Sequence, residues 1–259
     1  MPGFIATDSN NEISNLGRGG SDYTASVMAN YTNSDALEIW TDVSGVFSAN
    51  PKIVKNSKAI ESLSYKEAME LSFFGAKVIY FPTLQPLIEK SIPAYIKNTF
   101  DKDAVGTCIS NKGENNEEST IKGISHIEKI SLINFEGSGM VGVPGFSKRF
   151  FGALSERGIN VIMITQASSE FSICVAVKES DANNAKISID KEFEYEISQR
   201  KINECQIENS LSNIAIVGDK MKSKKGVSGK LFSTLGTVSY THLRAHETVL
   251  DLVCRLLLE

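Results

Sequence analysis

Short apolar runs alternate along this chain with segments whose apolar residues recur at helical spacing. "GFIAT" reads as a short strand. "GRGGSDYTASVMANYTN" reads as a glycine-rich loop feeding a helix. Ser21 or Asp22 is its natural N-cap, and Ala25, Ser26 and Ala29, with Val27 and Met28, give a small, packable face. "ALEIWTDVSGVF" reads as a buried strand from Ala36 to Trp40, followed by a loop. "SYKEAMELSFFGAKVIY" opens with Ser64 and has Glu67 three residues later, the pattern of a capping box, and Gly75 is placed to end that helix. "PLIEKSIPAYIKNT" reads as a helix, a break at Pro93, then a strand. Strands alternating with helices predict an α/β fold with a parallel sheet.

The pattern changes at residues 111–120, "NKGENNEEST", which hold no large apolar side chain and make the best linker. Beyond them come "KISLINFEG" (strand), "PGFSKRFFGALSERG" (helix), "NVIMITQ" (strand) and "EFSICVAV" (strand). In that helix Phe146, Phe150 and Leu154 stand four apart on one face with Phe151 beside them, and Gly158 is a natural stop. The unit then begins again. At a shift of 81 positions (218 − 137), Gly137 meets Gly218, Met140 meets Met221, Gly145 meets Gly226, Ser147 meets Ser228, Phe151 meets Phe232 and Leu154 meets Leu235. The copy stops there, because "ITQASSE" has no counterpart in "AHETVLD". A half-copied βαββ unit predicts an open sheet edge and an uncovered helix face.

Composition narrows the function classes. With 27 basic and 31 acidic residues the net charge is −4 and no basic stripe stands out, which argues against nucleic acid as a partner. No apolar run has the length of a membrane span, and "MPGFIATDSNNEISN" lacks the regions of a signal peptide. Four scattered cysteines with no Cys-x-x-Cys pair suggest neither a disulfide framework nor a zinc site. The expectation is a cytoplasmic protein with reduced thiols, with no membrane and no nucleic acid.

The chemistry concentrates in "GRGGSD". Glycines let a backbone approach an anion, successive N–H groups can form a nest, and a helix opening at Ser21 adds its dipole. Arg18 offers a planar fork for a carboxylate or phosphate, and Asp22 could orient a lysine or a metal ion. Alone, the string is equally a tight turn with an N-cap, and it has neither Walker nor dinucleotide spacing. "WTDVSGVFSANPK" leaves a strand and enters a glycine-containing loop, where α/β folds bind ligands. Asp42 there is otherwise a turn residue. Lys77 is otherwise a solvated lysine at a helix end.

In this order, "PGFIA", "LGRGGSDYTA", "IWTDVSGVFSANPK", "SYKEAMELSFFGAKVIYFPT" and "IPAYIKNT" resemble the C-terminal part of an aspartokinase catalytic domain, across nearly all of residues 2–110. The resemblance implies a partial amino-acid-kinase α/β/α sandwich over 1–110 and transfer of the γ-phosphoryl of ATP, with Mg²⁺, to the side-chain carboxylate of L-aspartate. By position, Arg18, Gly19, Gly20 and Ser21 would hold aspartate, with Arg18, Ser21 and Asp22 as the catalytic set. Thr41, Asp42, Phe47, Lys52, Lys77 and Val78 would contact the nucleotide. Departures are Asn50-Pro51-Lys52 where the family has Asp-Pro-Arg, and Phe47 where tyrosine is common. The family's Lys-Phe-Gly-Gly-Thr-Ser loop has no counterpart, so the sequence as it stands is expected to lack turnover. The alternative is an inactive fragment that serves at most as an amino-acid-binding module.

"ISLINFEGSGMVGVPGFSKRFFGALSERGINVIMITQASSEFSICVAV" resembles an ACT regulatory domain, an α+β ferredoxin-like unit. Residues 111–127 would be a linker and connecting strand, 128–205 the first such unit and 206–237 the start of a second. "MITQASSEFSI" and "VGDKMKSKKGVSGKLF" look most like bifunctional aspartokinase–homoserine dehydrogenases. That resemblance implies threonine as allosteric effector at Gln166, Met140 and Val161, and a homo-oligomer built through ACT units. Ile162 stands where lysine-sensitive relatives carry an acidic residue. From Val238, "VSYTHLRAHETVLDLVCRLLLE" leaves repeat and family and resembles translated adaptor sequence. Within it "HETVLDLVCRLLLE" reads locally as an amphipathic helix, and His242 with His246 makes a poor metal pair.

Overall fold

The computed structural model describes residues 3–75, 79–111, 120–166, 171–219, 221 and 224–237, and the backbone of two strands beyond them. The chain divides into two compact units: residues 1–126, 214–237 and 249–255 form one, and 127–213, 238–248 and 256–259 the other.

The first unit opens with β1 (Ile5–Thr7) and β2 (Ile13–Asn15), an antiparallel hairpin of which the sequence pattern had marked only the first strand. Then come α1 (Gly20–Thr32), β3 (Leu37–Thr41), β4 (Ser62–Ser64), α2 (Tyr65–Phe73), α3 (Phe81–Lys90), β5 (Ala94–Asn98) and β6 (Thr107–Ser110). The sheet order is β3-β5-β6-β4. β3 with β5 and β4 with β6 are parallel, but β5 and β6 are antiparallel, so the expected all-parallel sheet is a mixed one. Residues 99–106 are too few for the crossover that a parallel pair needs. β3 is also not the buried strand expected. It is an edge strand in which Ile39 is buried while Glu38 and Trp40 are exposed, the one-face alternation of a strand packed on one side. Leu63, Leu71, Phe74, Leu84, Leu87, Ile96 and Ile109 fill the core with essentially no exposure.

Ser64 and Glu67 form the expected capping box. The Ser64 hydroxyl accepts from Glu67 N–H at 3.1 Å, and the Glu67 carboxylate accepts from Ser64 N–H at 2.9 Å. The cap of α1 differs from expectation. It is Gly19, at φ 79°, rather than Ser21 or Asp22, and α1 starts at Gly20. A Cβ on Gly19 would collide with the Tyr80 side chain, so this turn accepts only glycine.

In the second unit, β7 (Gly123–Glu136) pairs through residues 130–136 with β9 (Ser172–Lys178), and β9 pairs on its other side with β8 (Met163–Gln166), all antiparallel. α4 (Phe146–Glu156), α5 (Ala182–Glu192) and α6 (Glu194–Ser198) follow their strands, and β10 (Gln206–Val217) lies beside β7. Alternate residues of β7 serve two clusters. Ile133 and Phe135 join Phe146, Phe150, Leu154, Ile189 and Phe193 beneath the helices, and Ile130 and Leu132 join Met163, Ala176 and Leu211 on the other face. The stretch holding α5 and α6 carried no expectation from the sequence.

The internal repeat is visible in three dimensions. Glu136 and Val217, 81 apart, end β7 and β10. Gly145 and Gly226 cap α4 and α7 (Val227–Gly236) with matching backbones, φ 83° and 87°. The tail differs from the helix expected over 246–259. β12 (Val253–Leu258) is a strand there, beside β10 at the edge that the half-copied unit would leave open, and β11 (Leu243–His246) precedes it.

Candidate functional site

The turn into α1 is built from both sides. Leu16 N–H donates to Phe4 O at 3.0 Å and the Thr24 hydroxyl donates to Gly3 O at 2.7 Å, which ties the β1–β2 hairpin onto the helix start. Gly20 is buried, and a Cβ there would collide with Leu16. Arg18, Gly19, Gly20, Ser21 and Asp22 therefore occupy one turn, with the Arg18 and Ser21 side chains in solvent and Asp22 half-buried. Gly20 N–H is taken by Gly17 O at 3.1 Å, and the first-turn amides that follow it have no acceptor within the helix, so this turn offers N–H donors and a positive dipole end just after Arg18 in the chain. Burial raises the Asp22 carboxyl above the ordinary aspartate range, and the Ser21 hydroxyl acts against that.

The second group lies at the carboxyl end of β3. The Thr41 hydroxyl donates to the Asp42 carboxylate at 3.1 Å. Thr41 O accepts from Thr99 N–H at 2.8 Å, and Asn98 Nδ2 donates to the Ser44 hydroxyl at 2.8 Å, so the loop after β3 is tied to the chain leaving β5. Thr41, Asp42 and Phe47 share this loop, with Asp42 exposed and Phe47 half-buried. Beside it, Glu38 is held below the ordinary glutamate range chiefly by its hydrogen bond from Lys97 and then by Trp40 Nε1. Lys97 Nζ also lies 5.4 Å from the Trp40 ring centre. Lys52 is exposed in a separate turn, where its N–H donates to Asn50 Oδ1 at 3.0 Å. Lys77 and Val78 lie outside the described residues.

Three residues that sequence reasoning missed hold these loops. Tyr80 seats Gly19, Asn98 ties Ser44, and the buried Thr107 hydroxyl accepts from Val46 N–H. None sits in a spacing pattern that would have singled it out.

The second unit has a cavity of about 240 Å³ at the N-terminus of α4, lined by Met140, Val143, Pro144, Gly145, Phe146, Ser147, Lys148, Gln166 and Ile173. Gln166 and Met140 both line it. Val161 is not among the lining residues. It packs against the core cluster that holds Met140, Phe146 and Ile173. Ile162 is buried in the cluster on the opposite sheet face. The volume is below the ~300 Å³ at which drug-sized pockets begin, which suits a molecule of amino-acid size. Lys148 and the first amides of α4 favour a carboxylate, and the Gln166 amide can both donate and accept.

Among the described residues no three His, Cys, Asp or Glu gather as a metal cluster, and no helix is long and apolar enough to cross a membrane.

Comparison with known proteins gives a consistent picture. The amino acid kinase family matches residues 1–98 and an ACT domain matches residues 133–193. The bifunctional aspartokinase/homoserine dehydrogenase of Haemophilus influenzae is 41% identical over 235 residues, which cover 91% of this chain and 29% of that protein. The aspartate kinase of Clostridium acetobutylicum superposes with a TM-score of 0.82 at 28% identity, over 100% of this chain and 59% of that one. Aspartokinase III of Escherichia coli, solved with aspartate and ADP in its R-state, superposes with a TM-score of 0.79 at 25% identity, over 99% of this chain and 56% of that one. The chain spans less than a third of the Haemophilus relative and little more than half of either crystallised enzyme.

Proposed function

We propose, from the premise that this chain belongs to the aspartokinases, that its protein transfers the γ-phosphoryl group of ATP to the side-chain carboxylate of L-aspartate. The observation that carries this reading is the pair of anchored loops in the kinase-like unit. One is the glycine-capped turn with Arg18, Gly19, Gly20, Ser21 and Asp22. The other is the Thr41–Phe47 loop at the carboxyl end of β3, where parallel strands offer ligands their binding edge.

The chemistry follows from the roles these groups can take. Arg18 and the first amides of α1 bind and orient the aspartate carboxylates. Thr41, Asp42 and Phe47 hold the nucleotide, and Lys52 supplies charge at the phosphates. A carboxylate oxygen attacks the γ-phosphorus in line. The new O–P bond forms as the bond to the β–γ bridging oxygen breaks, and ADP leaves with that electron pair. Positioning does most of the work, with no covalent enzyme intermediate. Mg²⁺ fits this site as an ion carried by phosphate oxygens, which needs only one or two carboxylates such as Asp22 or Asp42, and it would neutralise phosphate charge.

The second unit would bind an amino-acid effector, threonine by resemblance, in the cavity between Met140 and Gln166. Pairing of ACT units would build the oligomer.

Trapping the acyl phosphate tests the catalytic reading. The complete gene product, given MgATP, L-aspartate and hydroxylamine, should yield aspartyl hydroxamate, and Arg18→Ala should lower the yield by about 100-fold or more. A yield independent of aspartate, or unchanged in R18A, would sink it.

A further inference from the structure

The loop after β3 is held by a hydroxyl that comes from another strand. Residues 46–48 run antiparallel to residues 58–60. Ile60 N–H donates to Val46 O at 2.8 Å, Ser48 N–H donates to Lys58 O at 2.8 Å, and Phe47 faces Ala59 between them. In a regular antiparallel pair, Val46 N–H would return the bond to Ile60 O. Here the Thr107 hydroxyl stands in that bond. It accepts from Val46 N–H at 2.8 Å and donates to Ile60 O at 2.6 Å. A hydroxyl has one proton to give, and this one goes to Ile60 O.

The surroundings are shaped to this insertion. Thr107 is 1% exposed, so water cannot take its place from outside. Gly45, at φ 115°, leaves room for Oγ1, with which a Cβ would collide. Gly106, at φ 74°, lies so close to Ile96 O that any side chain would be excluded, which fixes residue 107 against β5. Val46 and Ile60 are themselves buried, so neither backbone group has solvent to fall back on.

We infer that Thr107 is a positioning residue for the nucleotide loop. Its hydroxyl, spliced into one of the two bonds of the Val46–Ile60 pair, holds that side of the pair open while the other stays directly bonded, and so sets where Phe47 and the Thr41–Phe47 turn stand. This rests on the reading of that loop as the nucleotide contact. Thr107→Val keeps the shape but removes the relay. Two buried groups then go unpaired, or the segments close on each other and carry Phe47 away. Thr107→Ser keeps the relay.

The test uses the 259-residue chain, amide exchange read by NMR, and titration with MgADP. The wild-type Val46 amide should be protected like those of β5. In T107V its exchange should quicken by about 10-fold or more and MgADP affinity should fall by a similar factor, while T107S stays within about threefold on both. Free exchange of Val46 in the wild type overturns the inference, and that reading stands even if T107V does not fold. So does T107V that matches the wild type in exchange or in MgADP affinity. A wild-type chain that shows the expected exchange but ignores MgADP overturns the nucleotide reading instead, and with it the role assigned to the hydroxyl.

Discussion

Burial raises the Asp22 carboxyl above the ordinary aspartate range, against the pull of the Ser21 hydroxyl. A carboxylic acid with a raised folded-state pKa binds its proton more tightly folded than unfolded. The charged form is thus a cost to folding. The cost is absent below the unfolded value, near 3.9, and grows as pH rises through the folded one. Asp22→Asn should therefore raise the melting temperature at neutral pH and flatten its decline above pH 4, while phosphoryl transfer by the complete gene product falls by about 100-fold or more. Scanning calorimetry across pH reads the first, and hydroxamate yield the second. A variant that keeps activity, or loses stability at pH 7, contradicts the role given to this carboxylate. The capping box at Ser64 and Glu67 was legible because its two hydrogen bonds depend on residues three apart. The Gly19 cap was not. It is decided by Tyr80, which sits 61 positions away, and no local string reports a collision at that range.

At the scale of elements, one arginine fastens the helical layer of the second unit. Arg149 on α4 donates to Glu192 Oε1 at 2.7 Å and Glu196 Oε1 at 2.5 Å, and its guanidinium lies 4.3 Å from the Phe193 ring centre. Phe193 in turn packs on Phe146 and Phe135, at 4.5 and 4.9 Å between ring centres. Arg149→Ala should cost about 1–2 kcal/mol in urea denaturation, since the ion pairs are partly solvated and the cation–π contact adds to them. The hydrogen bond from Arg149 holds the Glu196 carboxyl below its usual range. Its contribution is then present above the unfolded value, near 4.3, and is lost as pH falls through the folded one. The R149A penalty should shrink below pH 4, and a penalty constant from pH 3 to 7 would exclude this account. The face of α4 was readable from Phe146, Phe150 and Leu154, all buried. The α5–α6 stretch was not, because its buried set of Ala182, Ala185, Ser188 and Ile189 is small and partly polar. Pairing decided the other misses. Among the described residues β3 has β5 as its one neighbour and so is an edge strand, and part of the tail became strand rather than helix beside β10.

At the scale of the molecule, the sequence announced its repeat because glycines fixed by backbone geometry recur at the same shift, Gly145 and Gly226 at matching φ. The division falls inside β7 and β10, between residues 126 and 127 and between 213 and 214, the first of these beside the start expected at 128 for the ACT-like unit. A continuous strand gives no compositional sign of such a boundary, so it was the family resemblance and not the polar 111–120 stretch that pointed to it. The division separates the two binding expectations: Arg18 and the Thr41–Phe47 loop belong to one unit, and the cavity at Gln166 to the other. Threonine binding should then protect amides of the second unit, and at 100 times its dissociation constant should stabilise that unit by about 2.7 kcal/mol. Gln166→Ala should abolish this protection while MgADP affinity stays unchanged, because the side chain lines only its own unit's cavity. Hydrogen exchange with and without 10 mM threonine, about the weakest affinity worth calling regulatory at ~0.1 mM, measures both at once. Protection that survives in Q166A would move the effector elsewhere. Protection absent in the wild type would leave the cavity, with its lysine and helix amides, to some other small carboxylate.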